Sequence, residues 1–155
     1  MDDTNRACAA AVSFLARRDR SEAELTRKLA DKGFAPTDVE QAIARLKETG
    51  YLDDRRFARL WAESALRNGR GFGPRIRKGL LQRGLSAEIA TEVITELAEQ
   101  HDEICLVREL VARKFPSFLP NLAGDRETRR VMHYLQRRGF SPGAIFTIFR
   151  ELQGS

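Results

Sequence analysis

The sequence predicts an all-α protein, three tandem three-helix-bundle repeats set in an elongated, curved array. Three observations carry this expectation. The first is internal repetition. Leu25-Leu29-Lys32-Gly33-Phe34 returns as Ile76-Leu80-Arg83-Gly84-Leu85 and again as Val131-Leu135-Arg138-Gly139-Phe140, with the glycines 51 and 55 positions apart. Ala35-Pro36, Ser86-Ala87 and Ser141-Pro142 follow in register, as do Ile43 with Leu46, Ile94 with Leu97, and Phe149 with Leu152. The second is periodicity: apolar residues recur at three and four, one face of a helix, without strand-like alternation. The third is composition. With 42% hydrophobic and 32% charged residues in 155, the chain can bury a core and is not disordered. A tandem array of one small unit presents an extended surface rather than a pocket. That favours binding a long partner over turning over a small substrate.

The first repeat spans 7–52. Its first helix is expected over about 7–17, with Val12, Phe14 and Leu15 in the core. Ser21 and Glu24 have the spacing of a capping box and open a helix over 22–31 that buries Leu25 and Leu29. Gly33 suits a left-handed helix stop. Thr37 is expected to cap the third helix, which buries Val39, Ile43 and Leu46 and stops at Gly50. The second repeat spans 53–100. Asp53 or Asp54 caps its first helix, which carries Phe57, Leu60, Trp61 and Leu66, and Asn68-Gly69-Arg70-Gly71-Phe72-Gly73 breaks it. Pro74 is tolerated in a first turn and starts a helix with Ile76 and Leu80 inside, ended by Gly84; Ser86 caps the next, with Ile89, Val93, Ile94 and Leu97 inside. The third repeat spans 101–152, with helices over about 102–114, 127–137 and 142–152 and an irregular loop at 115–125.

Net charge is +5, from 27 basic and 22 acidic residues. Residues 1–53 hold 9 basic and 10 acidic groups, whereas 54–100 and 101–155 each hold 9 basic and 6 acidic. The excess therefore lies in the second and third repeats. Cys8 and Cys105 are far apart and lack metal-type spacing. Each reads as a small apolar packing residue, and a reducing cytoplasm fits them best. The start Met1-Asp2-Asp3 is acidic where a secretory signal needs basic residues, and no apolar run approaches the ~20 residues of a membrane span. The expectation is a soluble cytoplasmic monomer with no membrane partner.

Catalytic signals are poor. His101 and His133 have no surrounding arrangement that predicts a metal site. Gly71-Phe72-Gly73 follows no strand and precedes no Lys-Ser/Thr, so it is not a phosphate loop. Asp53-Asp54 reads as helix capping. No cofactor, metal or nucleophile is predicted, and an enzyme is not expected. The basic residues are more informative. No carboxylate lies between Ser64 and Ala87, a stretch that holds Arg67, Arg70, Arg75, Arg77, Lys78 and Arg83. With Pro74 starting a helix, Arg75, Lys78 and Gln82 share one stripe opposite Ile76 and Leu80. Arg129, Arg130, Arg137 and Arg138 lie in a second acid-free stretch, from Thr128 to Arg150. In the first repeat Arg17, Arg18, Arg20, Arg27 and Lys28 are offset by Asp19, Glu22 and Glu24. Guanidinium groups bind phosphate in a forked geometry and stay charged, so the two acid-free stretches are the candidate partner- or DNA-binding surface. Trp61, Tyr51 and the phenylalanines fit the helix core better than base-stacking platforms.

Three motifs converge on one family. Gly50-Tyr51-Leu52-Asp53-Asp54 with Arg56-Phe57-Ala58, then Gly71-Phe72-Gly73-Pro74-Arg75-Ile76 ending in Gln82-Arg83-Gly84, and Ser21-Glu22 with Glu24-Leu25, Leu29, Gly33 and Phe34 together resemble the RecX family of bacterial recombination regulators, over about residues 7–152. The resemblance implies three tandem three-helix modules. It also implies a partner, the RecA filament on single-stranded DNA, whose recombinase, ATPase and coprotease activities such proteins inhibit in DNA repair and the SOS response. The basic face would reach single-stranded or duplex DNA, or acidic protein surface. An alternative from another class is a helix-turn-helix-like DNA-binding protein or transcriptional repressor, because three-helix units with a basic helix resemble that motif.

Overall fold

The computed structural model describes residues 2–154. Among them the chain forms nine helices and no strand: α1 (Asp3–Arg17), α2 (Glu22–Asp31), α3 (Pro36–Glu48), α4 (Asp54–Arg67), α5 (Pro74–Gln82), α6 (Ala87–Gln100), α7 (Glu103–Lys114), α8 (Asp125–Arg137) and α9 (Pro142–Gln153). They fall into two compact units. One comprises residues up to Trp61 with Gly79–Val93; the other comprises Ala62–Lys78 with the chain from Ile94 onward.

Caps set the helix ends. Asp2 accepts from the Thr4 N–H at 3.1 Å and starts α1 at Asp3 rather than near Ala7. At α2 the capping box is complete: the Ser21 hydroxyl accepts from the Glu24 N–H at 3.1 Å and the Glu24 carboxylate from the Ser21 N–H at 3.4 Å. At α3 the expectation of a Thr37 cap is corrected. The helix starts at Pro36 with Ala35 as cap residue and no side-chain cap bond, because proline's fixed φ already suits the first helical position. The two aspartates before α4 divide their work. Asp53 Oδ1 accepts from the Arg56 N–H at 3.1 Å, while Asp54 Oδ1 accepts from the Glu22 N–H at the start of α2, at 2.8 Å. Burial pushes the Asp54 carboxyl above its usual range, against the lowering effect of that hydrogen bond.

In the first unit the core is Ala7, Ala11, Leu25, Leu29, Val39, Ala42, Ile43, Leu46 and Leu52. The expected core of α1 is therefore one face out. Val12 is 42% exposed and Phe14 and Leu15 are only half-buried. The buried stripe is Thr4, Ala7 and Ala11, whose small side chains let α1 lie close on α3. Trp61 and Leu60 also leave the expected core, Leu60 being 52% exposed. In the second unit Val107, Leu110, Val111, Val131, Leu135, Ile145, Ile148 and Phe149 form the core, joined by Phe118 from the irregular loop. Phe118 packs on Phe149 with ring centres 5.2 Å apart. Cys8 is half-buried, but Cys105 is exposed rather than packed.

The second helix of every repeat ends in one and the same turn. The N–H of Phe34, Leu85 and Phe140 donates to the carbonyl of Leu29, Leu80 and Leu135, and the N–H of Gly33, Gly84 and Gly139 to that of Ala30, Leu81 and Gln136. This is the Schellman pattern, which needs a left-handed residue after the cap. The glycines supply it with φ of 96°, 83° and 91°.

Candidate nucleic-acid and partner interface

The turn leaves the last helical carbonyls free to accept from elsewhere, and in the second unit this gathers the basic residues. Gly69, at φ 64°, ends α4 with the same bond pattern: its N–H donates to Leu66 and the Arg70 N–H to Ala65. The chain then runs across the C-terminal end of α8. The Phe72 N–H donates to the Arg138 carbonyl at 2.8 Å, and the Phe72 ring stacks on Phe140 at 5.6 Å with the planes 5° apart. Arg75 Nη1 donates to the Arg137 carbonyl at 3.5 Å, and Arg138 Nη1 donates to the Arg70 carbonyl at 3.2 Å. The guanidinium groups of Arg75 and Arg138, from two repeats, are thus held on the backbone carbonyls of Arg137 and Arg70 at one helix C-terminus, where the macrodipole favours cations. Arg138 lies over the Tyr134 ring at 4.4 Å, and its buried Nε has no hydrogen-bond partner.

The face of α8 extends this cluster. Arg126, Arg130, His133 and Arg137 follow four-three-four spacing and are all exposed, while Val131 and Leu135 are buried opposite them. Arg129 is exposed beside them, with Nε on the Asp125 carbonyl at 3.3 Å. Arg126 and His133 did not stand out in the sequence, Arg126 because Asp125 and Glu127 flank it. Helical spacing alone identifies both. At the start of α5, Arg75 and Lys78 are exposed and Ile76 is buried, so the helix phase is as predicted. None of Arg70, Arg75, Lys78, Arg126, Arg129, Arg130, Arg137 and Arg138 lies within ion-pair distance of a carboxylate among the described residues.

The other predicted site residues are placed differently. Arg77 is half-buried. Arg67 is exposed at the end of α4 and lines a cleft of ≈ 240 Å³ with Glu63, His101, Glu109 and Arg113. There His101 Nε2 is 3.2 Å from both carboxylate oxygens of Glu63. Arg83 belongs to the first unit. It is half-buried over the Trp61 ring at 4.4 Å, with Nη1 donating to the Gly79 carbonyl at 3.1 Å. Gly79 is where it is because any side chain there would collide with the Trp61 ring. Arg83 is therefore tied into packing, and Trp61 is its platform. No group of three His, Cys, Asp or Glu suited to a metal ion occurs among the described residues, and no helix there is long and apolar enough to cross a membrane.

Comparison with known proteins matches three family descriptions in chain order: RecX, first three-helix domain, over residues 7–46; the second three-helix domain over 53–94; and the third over 102–149. A Regulatory protein RecX from Syntrophotalea carbinolica is 37% identical over 145 residues, covering 94% of this chain and 95% of its own. One from Escherichia coli is 36% identical over 151 residues, covering 90% and 87%. The crystal structure of RecX from Lactobacillus salivarius superposes with a TM-score of 0.79 over 99% of both chains at 20% identity, a likeness of fold.

Proposed function

This chain belongs to the RecX family, and on that premise we propose that it is a non-enzymatic cytoplasmic regulator that binds RecA filaments on single-stranded DNA. Bound there, it lowers their recombinase, ATPase and coprotease activities in DNA repair and the SOS response. The observation that supports this reading is the cluster of uncompensated cations at the C-terminal end of α8, continued along the exposed face of that helix. The guanidinium groups of Arg75, Arg129 and Arg138 are held by backbone carbonyls, that of Arg138 also by the Tyr134 ring, and so are pre-placed. Ordering them on a phosphate backbone or an acidic protein surface costs little further side-chain entropy. The modules at 53–100 and 101–152 carry these cations and, with the one at 7–52, would reach successive positions along a filament. Many weak contacts then act at high effective concentration.

The test is the DNA-dependent ATPase of RecA, titrated with this protein. Inhibition at substoichiometric ratios is expected, and the absence of inhibition at every ratio overturns the reading. Reversing Arg130 and Arg137 to glutamate together is expected to weaken inhibition while leaving the far-ultraviolet circular dichroism unchanged.

A further inference from the structure

The loop between the first and second helices of a repeat varies in length. It has four residues in the first repeat (18–21), six in the second (68–73) and ten in the third (115–124). Four residues suffice to turn the chain, so the third loop is longer than the module needs. It is nonetheless pinned at several points. The Phe115 N–H donates to the Val111 carbonyl at 2.8 Å, and the Phe115 ring meets the Tyr134 ring of α8 edge-on with centres 5.1 Å apart. The Phe118 N–H donates to the Phe115 carbonyl at 3.1 Å, and the Phe118 ring is buried against Phe149. The Leu119 carbonyl accepts from the Leu122 N–H at 3.0 Å and from the Ala123 N–H at 2.8 Å.

What this ordered loop presents is leucine. Leu122 is 78% exposed, more than any other large apolar residue among those described, and Leu119 in the same turn is 39% exposed. Single exposed apolar side chains are common on protein surfaces. Here a long loop is fixed against its backbone entropy, and the result still leaves two leucines in water at the threshold of α8.

The charges around the loop decide which partner fits. Residues 115–124 carry no charge, and 113–130, which contain them, hold five basic and two acidic groups. Asp125 and Glu127 outnumber Arg126 in the first turn of α8, but Arg129 and Arg130 follow at once, and Arg113 and Lys114 precede the loop. Of the acids on α7 and α9, Glu103 accepts from the Ser141 N–H at 2.6 Å, Glu151 lies 2.9 Å from Arg108, and Glu109 faces the cleft that Arg67 and Arg113 line. The surroundings are therefore cationic on balance. Leucine is under-represented among the residues that anchor protein interfaces. It is one of the apolar side chains that enter between base steps and unstack them, while neighbouring cations hold the phosphates.

We propose that Leu122 is an apolar wedge that enters between two stacked bases of DNA whose phosphates lie along the arginines of α8. The wedge rests on the DNA contact proposed above for this face. It adds that binding opens the base stack instead of only neutralising the backbone. The chemistry recognised is a stacked base step flanked by phosphates, which a single strand and a duplex both offer.

The test uses the full chain and an oligonucleotide carrying 2-aminopurine, whose emission is quenched by stacking, once as a single strand and once as a duplex. Anisotropy confirms saturation in each arm. Wild type should raise the emission about threefold in at least one arm, and the arm that responds identifies the form bound. Leu122→Ala should bind yet leave the emission near that of free DNA. Leu122→Met, which restores a long apolar side chain, should recover most of the rise. Both variants should keep wild-type circular dichroism, since the residue is exposed. Failure to bind either form, no rise at saturation, or a rise that Leu122→Ala preserves overturns the inference. Titration of the RecA ATPase with the same protein separates the two readings. Inhibition without a rise removes the wedge alone, and a rise without inhibition removes the regulatory reading alone.

Discussion

Helices α2 and α8 hold the same place in the first and third repeats. Each buries two aliphatics four apart, Leu25 with Leu29 and Val131 with Leu135, and each ends in a glycine turn with φ above 90°. Their surfaces differ. α2 has three acidic residues and two basic ones, and two of its acids are engaged: Glu24 lies 2.9 Å from Arg18 and Glu22 lies 3.3 Å from Lys47. α8 has two acidic residues, both in its first turn, and four arginines that find no carboxylate partner among the described residues. Even the cap position is handled alike underneath. Lys32 lies 5.5 Å from the Phe14 ring centre, and Arg138 lies 4.4 Å from that of Tyr134. The buried face and the turn are fixed by packing and backbone geometry, which tolerate little change. The outward face is free to diverge, and one copy has become neutral where the other is basic.

Four substitution experiments test how far the two helices are equivalent. The largest effect is expected from Leu29→Ala and Leu135→Ala, each costing about 3–4 kcal/mol in urea denaturation because both side chains are fully buried. A cost near zero for one of them would mean the two cores are not equivalent. Gly139→Ala comes next, at roughly 2–3 kcal/mol, since its Cβ would both strain a left-handed residue and strike the Phe72 carbonyl. Gly33→Ala, with strain alone, should cost about 1 kcal/mol, so equal costs would refute the clash with Phe72. Reversal of Arg130 and Arg137 to glutamate should weaken single-stranded DNA binding by about tenfold, ~1.4 kcal/mol, and flatten its salt dependence. The matching reversal of Arg27 and Lys28 should change affinity less than twofold, both read by fluorescence anisotropy at two salt concentrations. The smallest effect belongs to D54N. The Asp54 carboxyl titrates above its unfolded value, so its contribution to stability is complete below the unfolded range, about 3.9, and is lost as pH rises through the elevated folded value. D54N keeps an acceptor for the Glu22 N–H without the charge. Its urea midpoint should lie slightly above wild type at pH 7 and converge with it in acid.

Local signals explain what could be read in advance. The three glycine turns, the capping box at Ser21 and the start at Pro74 are written in residues a few positions apart, so spacing finds them. The helix α1 misled because Val12, Phe14 and Leu15 are larger than Ala7 and Ala11. Close approach to α3 selects the small residues instead. Pro36 displaced the Thr37 cap by its own preset φ. Arg83 looked like its neighbours Arg75 and Lys78, and only tertiary packing on Trp61, 22 positions earlier, takes it out of the exposed set. The meeting of Arg70 and Arg75 with Arg137 and Arg138 depends on contacts across more than sixty positions, which no periodicity reports.

The stacked pair at Trp61 also offers an optical handle. Trp61 is the sole tryptophan, and its arginine cover and the glycine beneath it all belong to the first compact unit. Emission from the indole therefore follows the melting of that unit alone. Far-ultraviolet ellipticity sums over every helix. Traces of the two signals that diverge during denaturation would reveal the halves of the molecule letting go in separate steps, with no label attached.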